Sequence, residues 1–266
     1  MSDNATVTWG RFCWHDMVSA DTDKAIDFYT GLFGWELEDF DMGDHGIYKM
    51  WKAGDATTMG GFMDLPKPET SPHWLGFVQV EDVEATLARV SGNGGTPLGP
   101  VIDIPKIGRA ATFRDPQGGV LGAYQPANQP FSTPVDWRPP KLGVCWNELV
   151  SGDVTASIAF YIEVFGWEAQ TQEMNPGFEY TVFTTPEGMQ VAGLMQAPPP
   201  HGDMTAWLAH ICIDDLGAIL ERAKGLGARI HTDPQTIPGV GSFALIEDPQ
   251  GAFFHAFQPA SEEITA

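Results

Sequence analysis

Two acidic residues stand in otherwise apolar, strand-like segments of the sequence. Asp16 lies two residues after Trp14, and Glu148 lies two residues after Trp146. A carboxylate on an apolar strand is costly to bury unless it is paired or hydrogen-bonded, so each should have a specific partner. One interpretation is that each accepts hydrogen bonds from backbone or tryptophan donors and fixes its strand. The other makes one of them a general base of raised pKa that acts on an acidic C–H or O–H bond.

These two segments belong to an internal repeat that covers nearly the whole chain. Phe28-Tyr29 recurs as Phe160-Tyr161 at an offset of 132, and Asp115-Pro116-Gln117-Gly118 recurs as Asp248-Pro249-Gln250-Gly251 at an offset of 133. Each half divides again, because a strand-like run is followed by a helical period and then by strand-like runs between Gly and Asp turn signals. The sequence therefore predicts an α+β fold of four βαβββ modules.

The repeat also sets the expected boundaries. We predict a first domain at residues 8–127, a proline-rich linker at 128–140 and a second domain at 141–260. In the first helix, Asp21 or Thr22 is the expected N-terminal cap and Gly34 the expected terminator.

Two motifs, each present twice and in the same order, carry a family resemblance. They are the helix end Phe28-Tyr29-Thr30-Gly31-Leu32-Phe33-Gly34-Trp35 and the turn Asp115-Pro116-Gln117-Gly118. The chain resembles the vicinal oxygen chelate superfamily, which includes glyoxalase I, extradiol dioxygenases, fosfomycin-resistance proteins and bleomycin-binding proteins, and especially its two-domain glyoxalase-like bacterial members. The resemblance implies two glyoxalase-like domains with strongly curved mixed sheets whose concave faces hold the ligand. Neighbouring and crossed pairing of the modules both stay open.

The resemblance also places the metal ligands of metal-dependent members on the first and last strands of the modules. In this sequence those positions hold Trp14, Gly61, Leu75 and Gly122 in the first half, and Trp146, Gly193, Leu208 and His255 in the second. Only His255 can coordinate a metal. The standard glyoxalase I or extradiol reaction is therefore not expected at the usual place.

A displaced metal site remains in the second domain, because strand residues two apart share a face. Glu148 shares a face with Trp146, and His210 shares one with Leu208. With His255 they form a set that suits Fe(II), Zn or Mn with open positions for a substrate. Without this site, we expect no cofactor. A histidine on a half-buried strand more often makes an ordinary hydrogen bond, and that alternative stays open.

Aromatic side chains on the predicted strands could line the concave faces. As stacking walls they would bind a planar or apolar ligand, and as core they would only fill the interior: Trp14, Trp146, Tyr48, Tyr124, Tyr180 and Phe257. Arg109 could clamp a substrate carboxylate, although a surface ion pair is the more common fate of an arginine. The remaining histidines are expected to face solvent: His15, His45, His73, His201 and His231.

Composition limits the partners of the chain. With 35 Asp+Glu against 14 Lys+Arg, the formal charge of -21 would repel phosphate backbones and anionic lipid surfaces, so neither nucleic acid nor membrane is an expected partner. No apolar run approaches the ~18 residues of a membrane span and no secretory signal opens the chain, so we expect a cytoplasmic protein. Cys13, Cys145 and Cys212 form no C-x-x-C pair and are interpreted as small buried apolar residues.

Two functions from different classes fit these observations. The first is a glyoxalase-like lyase, isomerase or oxygenase that acts on a small oxygenated or aromatic compound, with Glu148 as base and with or without a metal at His210 and His255. The second is a non-catalytic small-molecule binding protein, similar to bleomycin-resistance proteins. A scaffold without a pocket is a third possibility, and monomer and homodimer both stay open.

Overall fold

The structure is a computed structural model that describes residues 6–7, 9–43, 46–54, 57–67, 70–128, 132–133, 141–199, 202 and 204–260. Most of the predicted linker, as well as His45 and His201, lies outside these residues. The predicted domain boundaries therefore stay a prediction. Within the described ranges, no helix is both long enough and apolar enough to cross a membrane.

The elements follow the four predicted modules. The first module contains β2 Phe12–Ser19, α1 Thr22–Phe33, β3 Glu36–Asp41, β4 Ile47–Lys52 and β5 Thr58–Asp64. The second contains β6 His73–Gln79, α2 Val83–Gly92, β7 Thr96–Pro97, β8 Ile102–Ile104, β9 Gly108–Arg114 and β10 Val120–Pro126. The third contains β12 Val144–Ser151, α3 Val154–Phe165, β13 Glu168–Asn175, β14 Phe178–Thr184 and β15 Gln190–Gln196. The fourth contains β16 Ala206–Cys212, α4 Leu216–Gly225, β17 Arg229–Ile230, β18 Gln235–Ile237, β19 Gly241–Glu247 and β20 Phe253–Pro259.

These strands form two curled sheets of nine strands each. One has the order β3-β4-β5-β2-β6-β10-β9-β7 with β8 beside β9, and the other has the order β13-β14-β15-β12-β16-β20-β19-β17 with β18 beside β19. A further pair joins β1 Thr6–Val7 to β11 Ser132–Thr133. Each large sheet therefore combines two modules that are neighbours in sequence, as one of the two predicted pairings requires.

Local sequence signals explain where the helices begin and end. Asp21 caps α1 by accepting a hydrogen bond from the backbone N–H of Lys24, and Gly34 ends the helix at a φ of 70° in the left-handed region. Asp153 and Gly166 do the same for α3. The predicted cap and terminator of the first helix are thus confirmed. The short strands β8 and β18 were not predicted.

Two apolar cores bury the helices. In one core, α2 and α3 are in contact, and Val90, Phe113, Phe160 and Trp167 are among its buried residues. In the other core, α1 and α4 are in contact, and Leu32, Trp51, Leu220 and Phe254 are among its buried residues.

Each core contains the same buried hydrogen-bond chain. Tyr161 Oη donates to Asp115 Oδ2 at 2.7 Å and accepts from Trp207 Nε1 at 2.8 Å. Asp115 Oδ1 accepts three backbone N–H bonds from the turn that follows it, at 2.7 to 2.9 Å. In the other core, Tyr29 Oη lies 3.0 Å from Asp248 Oδ2 and accepts from Trp74 Nε1 at 3.2 Å. The repeated Phe-Tyr and Asp-Pro-Gln-Gly motifs are therefore two ends of one interaction.

We predict that Tyr161→Phe lowers the free energy of unfolding by about 1–3 kcal/mol, because it leaves a buried carboxylate oxygen and a buried indole N–H without their phenol partner. Urea denaturation followed by circular dichroism measures the change. The control is Thr236→Ala, which removes an exposed hydroxyl bonded to Ser242 and should cost no more than about 0.5 kcal/mol. Equal costs in the two variants would contradict the importance of the buried phenol.

Candidate functional site

Glu148 lies buried on β12, where a phenol fixes its carboxylate. Tyr180 Oη donates to Glu148 Oε2 at 2.9 Å, and Trp146 Nε1 donates to Tyr180 Oη at 2.9 Å. Burial and the neighbouring Glu148 charge raise the pKa of Tyr180 above its usual range, so the phenol stays protonated and acts as the donor. The acid therefore has a specific hydrogen-bond partner, as expected, and this partner is a tyrosine.

A glycine on the next strand makes room for this phenol. Gly193 on β15 is the register partner of Glu148, and a Cβ added to it would lie 1.8 Å from Tyr180 Oη. Any larger residue at this position would occupy the place of the phenol. The strand pairing thus explains why Tyr180, which lies on β14, can reach across β15 to Glu148.

Two buried histidines face each other on neighbouring parallel strands. His210 on β16 and His255 on β20 are register partners, and His255 Nδ1 lies 2.8 Å from His210 Nε2. Phe243 packs beside them, with its ring centroid 5.1 Å from that of His255, and Phe257 lies 6.4 Å from His210 by the same measure. The ring nitrogens therefore converge within an aromatic surrounding.

The predicted displaced site comes together. Glu148, His210 and His255 are all buried, and each offers one ligand atom such that these atoms lie within 4.8 Å of one another. Two imidazoles and one carboxylate are a ligand set that divalent transition metals accept. This Glu/His/His group, which we call the Glu148 group, could hold a metal ion.

The first sheet carries the acid but not the histidines. Tyr48 Oη donates to Asp16 Oδ1, and the register partner of Asp16 is Gly61, where a Cβ would lie 2.1 Å from the Tyr48 ring. The positions of His210 and His255 are taken by Phe77 and Gly122, which are also register partners. A Cβ on Gly122 would lie 2.1 Å from the Phe77 ring. The sequence repeat had already set Gly122 against His255.

The other residues predicted to bind a ligand differ in their burial and in their hydrogen-bond partners. Trp14, Trp146 and Phe257 are half-buried. Tyr124 donates to the carbonyl of Ile107 at 2.8 Å, and burial raises its pKa to about 12. The guanidinium of Arg109 pairs with carboxylates of Glu84 and Asp103. Arg109 thus adopts the surface ion pair that was weighed against substrate binding.

Not all remaining histidines face solvent. His15 was predicted to point outward, and this was wrong: it is only 5% exposed. It lies on β2 directly before Asp16, in a strand that is almost continuously buried, so the strand has no solvent-facing side there. His73 is half-buried and bonds the carbonyl of Ser71 at 2.8 Å. His231 is exposed, as predicted, and pairs with Glu247 at 2.6 Å.

Comparison with known proteins gives a family that fits this geometry. The sequence model of the glyoxalase/bleomycin resistance protein/dioxygenase superfamily matches residues 12–121 and 144–255. The chain belongs to this superfamily. It is 33% identical over 254 residues to CFP32 of Mycobacterium tuberculosis (strain CDC 1551 / Oshkosh), which is named as a glyoxylase. The match covers 94% of this chain and 95% of that protein.

Solved structures of superfamily type share the fold. The Mn(II)-bound glyoxalase from Novosphingobium aromaticivorans matches with a TM-score of 0.61 and 16% identity over 95% of this chain and 83% of that chain. The 2,3-dioxygenase LapB from Pseudomonas sp. KL28 matches with a TM-score of 0.63 and 14% identity, over 96% of this chain and 94% of that chain. At these identities the likeness concerns the fold alone.

We predict that Gly193→Ala displaces Tyr180 and lowers the free energy of unfolding by about 1–3 kcal/mol, because the added methyl group overlaps the phenol. In a Tyr180→Ala background the same substitution should cost clearly less, since the phenol atoms are gone and only Trp146 Nε1, at 2.9 Å, stays close to the added Cβ. Urea denaturation of the four proteins of this double-mutant cycle measures the coupling.

The control for this cycle is Gly99→Ala, because nothing lies within 4 Å of a Cβ at that position. Its cost should not depend on residue 180. If Gly193→Ala costs the same with and without the phenol, the close approach does not limit this position.

Proposed function

We propose that this superfamily member is a divalent-metal-dependent enzyme, of lyase, isomerase or oxygenase type, that acts on a small oxygenated or aromatic compound at the Glu148 group. The observation that carries the proposal is the convergence of one buried carboxylate and two buried imidazoles, with ligand atoms within 4.8 Å of one another. One structural relative is a Mn(II)-bound glyoxalase, which supports Mn(II) as the ion, and a set of two imidazoles and one carboxylate also suits Fe(II).

The spacing of the histidines fits a shared ion. Two nitrogen ligands bonded at about 2.1 Å and at right angles on one ion stand about 3.0 Å apart. The two ring nitrogens here are 2.8 Å apart. A neutral imidazole can move its proton to the other ring nitrogen, so the hydrogen bond between the rings can give way to two metal bonds. The spacing of the two ring nitrogens thus fits a metal ion bound to both histidines.

Glu148 would supply the anionic ligand of the set. The phenol of Tyr180 holds Oε2 through a hydrogen bond, which orients the carboxylate, and Trp146 in turn orients the phenol. Outer hydrogen-bond partners of this kind fix ligand geometry and raise metal affinity. Tyr180 and Trp146 are therefore positioning residues in this proposal.

The class of substrate follows from the number of ligands. Three protein ligands leave open positions, and a bound divalent ion supplies Lewis-acid polarisation of a substrate oxygen there. A compound with two adjacent oxygens can occupy two such positions together. The aromatic side chains of Phe243 and Phe257 beside the histidines favour a substrate with a planar or apolar part.

We predict that chelator-treated protein takes up one Mn(II) or Fe(II) per chain, measured by anaerobic isothermal titration calorimetry and elemental analysis. His210→Ala and His255→Ala should each weaken binding by more than the about 10- to 100-fold that loss of an outer hydrogen-bond partner costs. The control is His231→Ala, because His231 is exposed and pairs with Glu247; its metal affinity should equal that of the wild type.

The metal part of the proposal fails if no stoichiometric uptake follows supplementation. It also fails if the two buried histidine variants bind like the wild type. Thermal unfolding with and without the ion gives an independent readout, since an ion that binds the folded state raises its stability.

We predict that Glu148→Gln abolishes turnover of the substrate and weakens the binding that depends on the metal ion, because the ion loses its anionic ligand. A neutral amide is neither a charged ligand nor a base, but it keeps the size of the side chain and can still accept a hydrogen bond from Tyr180. Turnover is measured on a panel of catechols and 2-oxo- and 2-hydroxycarbonyl compounds with added Mn(II) or Fe(II). Binding is measured by thermal shift with the same panel.

The same pair of measurements tests the alternative of a non-catalytic binding protein. Thermal shifts that are equal in wild type and Glu148→Gln, together with no turnover by the metal-loaded wild type, would favour sequestration over catalysis. Absence of any thermal shift across the panel would contradict a small-molecule pocket for these compounds.

A further inference from the structure

We propose that Phe243 is a specificity-determining residue of the Glu148 group, which makes that group select ligands with a planar ring next to their metal-binding oxygens. The inference rests on the proposed metal function and adds to it the residue that chooses between ring-bearing and aliphatic ligands. Phe243 was not among the residues that the sequence predicted to bind a ligand.

Strand pairing places Phe243 on the face of the sheet that carries the histidines. Phe243 on β19 is the register partner of Phe257 on β20, and Leu245 is the register partner of His255. Residues paired across antiparallel strands, and residues two apart along a strand, point to the same face. Phe243 and His255 are therefore diagonal neighbours on one face, a separation that an aromatic side chain can span.

The Phe243 ring packs beside both histidine rings. Its centroid lies 5.1 Å from that of His255, with the two rings at 78°, and 6.1 Å from that of His210. Edge-to-face ring pairs are favourable at centroid separations of about 4.5–7 Å. Phe243 therefore stands beside the two imidazoles of the Glu148 group, and a ligand of an ion bound there would lie next to its ring.

The apolar core takes its contacts from the other face of β19. Ala244 and Ile246 lie on that other face, are fully buried and belong to the core. Phe243 is only half-buried. Part of its ring thus remains accessible for contact with a ligand.

Phe257 is a second ring on this face, but its surroundings are those of a structural residue. A Cβ on Gly241 would lie 2.8 Å from the Phe257 ring, and in the first sheet a Cβ on Gly108 would lie 2.9 Å from the Tyr124 ring. A ring over a glycine is therefore common to both sheets. The centroid of Phe257 is also farther from that of His210, at 6.4 Å, than the centroid of Phe243 is.

A thiol stands across from Phe257. Cys212 on β16 is its register partner. Like the other two cysteines of the chain, Cys212 is free and only half-buried, so the interpretation of the cysteines as buried apolar residues was wrong.

The first sheet has no ring at the position of Phe243. That position is held by Ala110, the register partner of Tyr124, and the places of the two histidines are held by Phe77 and Gly122. The phenyl ring on β19 thus occurs in the sheet that has the two histidines, and a methyl group replaces it in the sheet that lacks them. This joint difference indicates a role for Phe243 at the histidines rather than in the shared fold.

Two hydroxamates separate the effect of a ring from that of the metal-binding group. Benzohydroxamate and acetohydroxamate offer the same two oxygens to a divalent ion, but the first carries a phenyl ring and the second a methyl group. The ratio of their affinities for one Mn(II)-loaded protein cancels any effect that a substitution has on the metal itself. A contact between two rings is worth about 2- to 10-fold in affinity.

Isothermal titration calorimetry of the full chain loaded with Mn(II) measures both affinities. The wild type should bind benzohydroxamate more tightly than acetohydroxamate, and Phe243→Ala should lower this ratio by about 2- to 10-fold. Phe243→Leu should lower it less, because leucine keeps an apolar contact but no ring, and it answers the same question if circular dichroism shows that the alanine variant does not fold. Phe243→Tyr keeps the ring and should keep the ratio. The control is Phe40→Ala, because Phe40 is also half-buried but lies on β3 in the other sheet.

The outcomes separate this inference from the proposed function. Equal ratios in the wild type and the Phe243 variants, with normal Mn(II) uptake, would overturn the inference and leave the metal function intact. Equal binding of the two hydroxamates by the wild type, or an equal fall of the ratio in Phe40→Ala, would overturn it as well. Absence of Mn(II) uptake by the wild type would overturn the proposed function and this inference with it.

Discussion

Two buried phenol–carboxylate hydrogen bonds each hold the turn of one β-hairpin, and one of these hairpins carries His255. Asp248 directly follows β19, and its Oδ1 accepts backbone N–H bonds from Gln250 and Ala252, which shapes the turn into β20. Its other oxygen bonds Tyr29 on α1. Burial raises the pKa of both groups, and each gives the other a hydrogen-bond partner in the apolar core. The first helix of the chain thus fixes the turn that leads to His255.

The two halves of the chain share the buried phenol–carboxylate bond but differ in the side chains beside the acid of the sheet. Both halves keep the phenol, the tryptophan and the aspartate of the core. Both also keep an acid, a tyrosine and a glycine on the sheet. The pair beside the acid differs, since Phe77 fills the space over Gly122 where the other sheet has His210 and His255. The two halves thus differ at this pair of side chains although they share the buried hydrogen-bond chain of the core.

The sequence predicted those features that depend on local patterns. The repeat, the helix caps and the order of strands follow from spacing and turn residues. The family resemblance pointed to His255, and strand alternation added Glu148 and His210, which lie near it. The sequence did not predict the hydrogen bond between Tyr180 and Glu148. Tyr180 lies 32 residues from Glu148, and no pattern signals that pairing apart from its repetition as Tyr48 and Asp16. His15 shows the converse error, because alternation predicts a solvent face that a strand buried on both sides does not have. The two short strands β8 and β18 were missed because three residues are too few for a period to appear.

Local charge, rather than the net charge of the chain, decides what the Glu148 group can bind. One carboxylate and two neutral imidazoles carry one negative charge, so a divalent ion among them would leave one positive charge for an anionic substrate oxygen. The formal charge of -21 acts against such a substrate, but charges on the surface are screened over about 8 Å at physiological salt. Buried groups are screened much less, and their interactions are stronger because the surroundings are apolar. The acidic surface is therefore compatible with the proposed binding of an anionic oxygen at the Glu148 group.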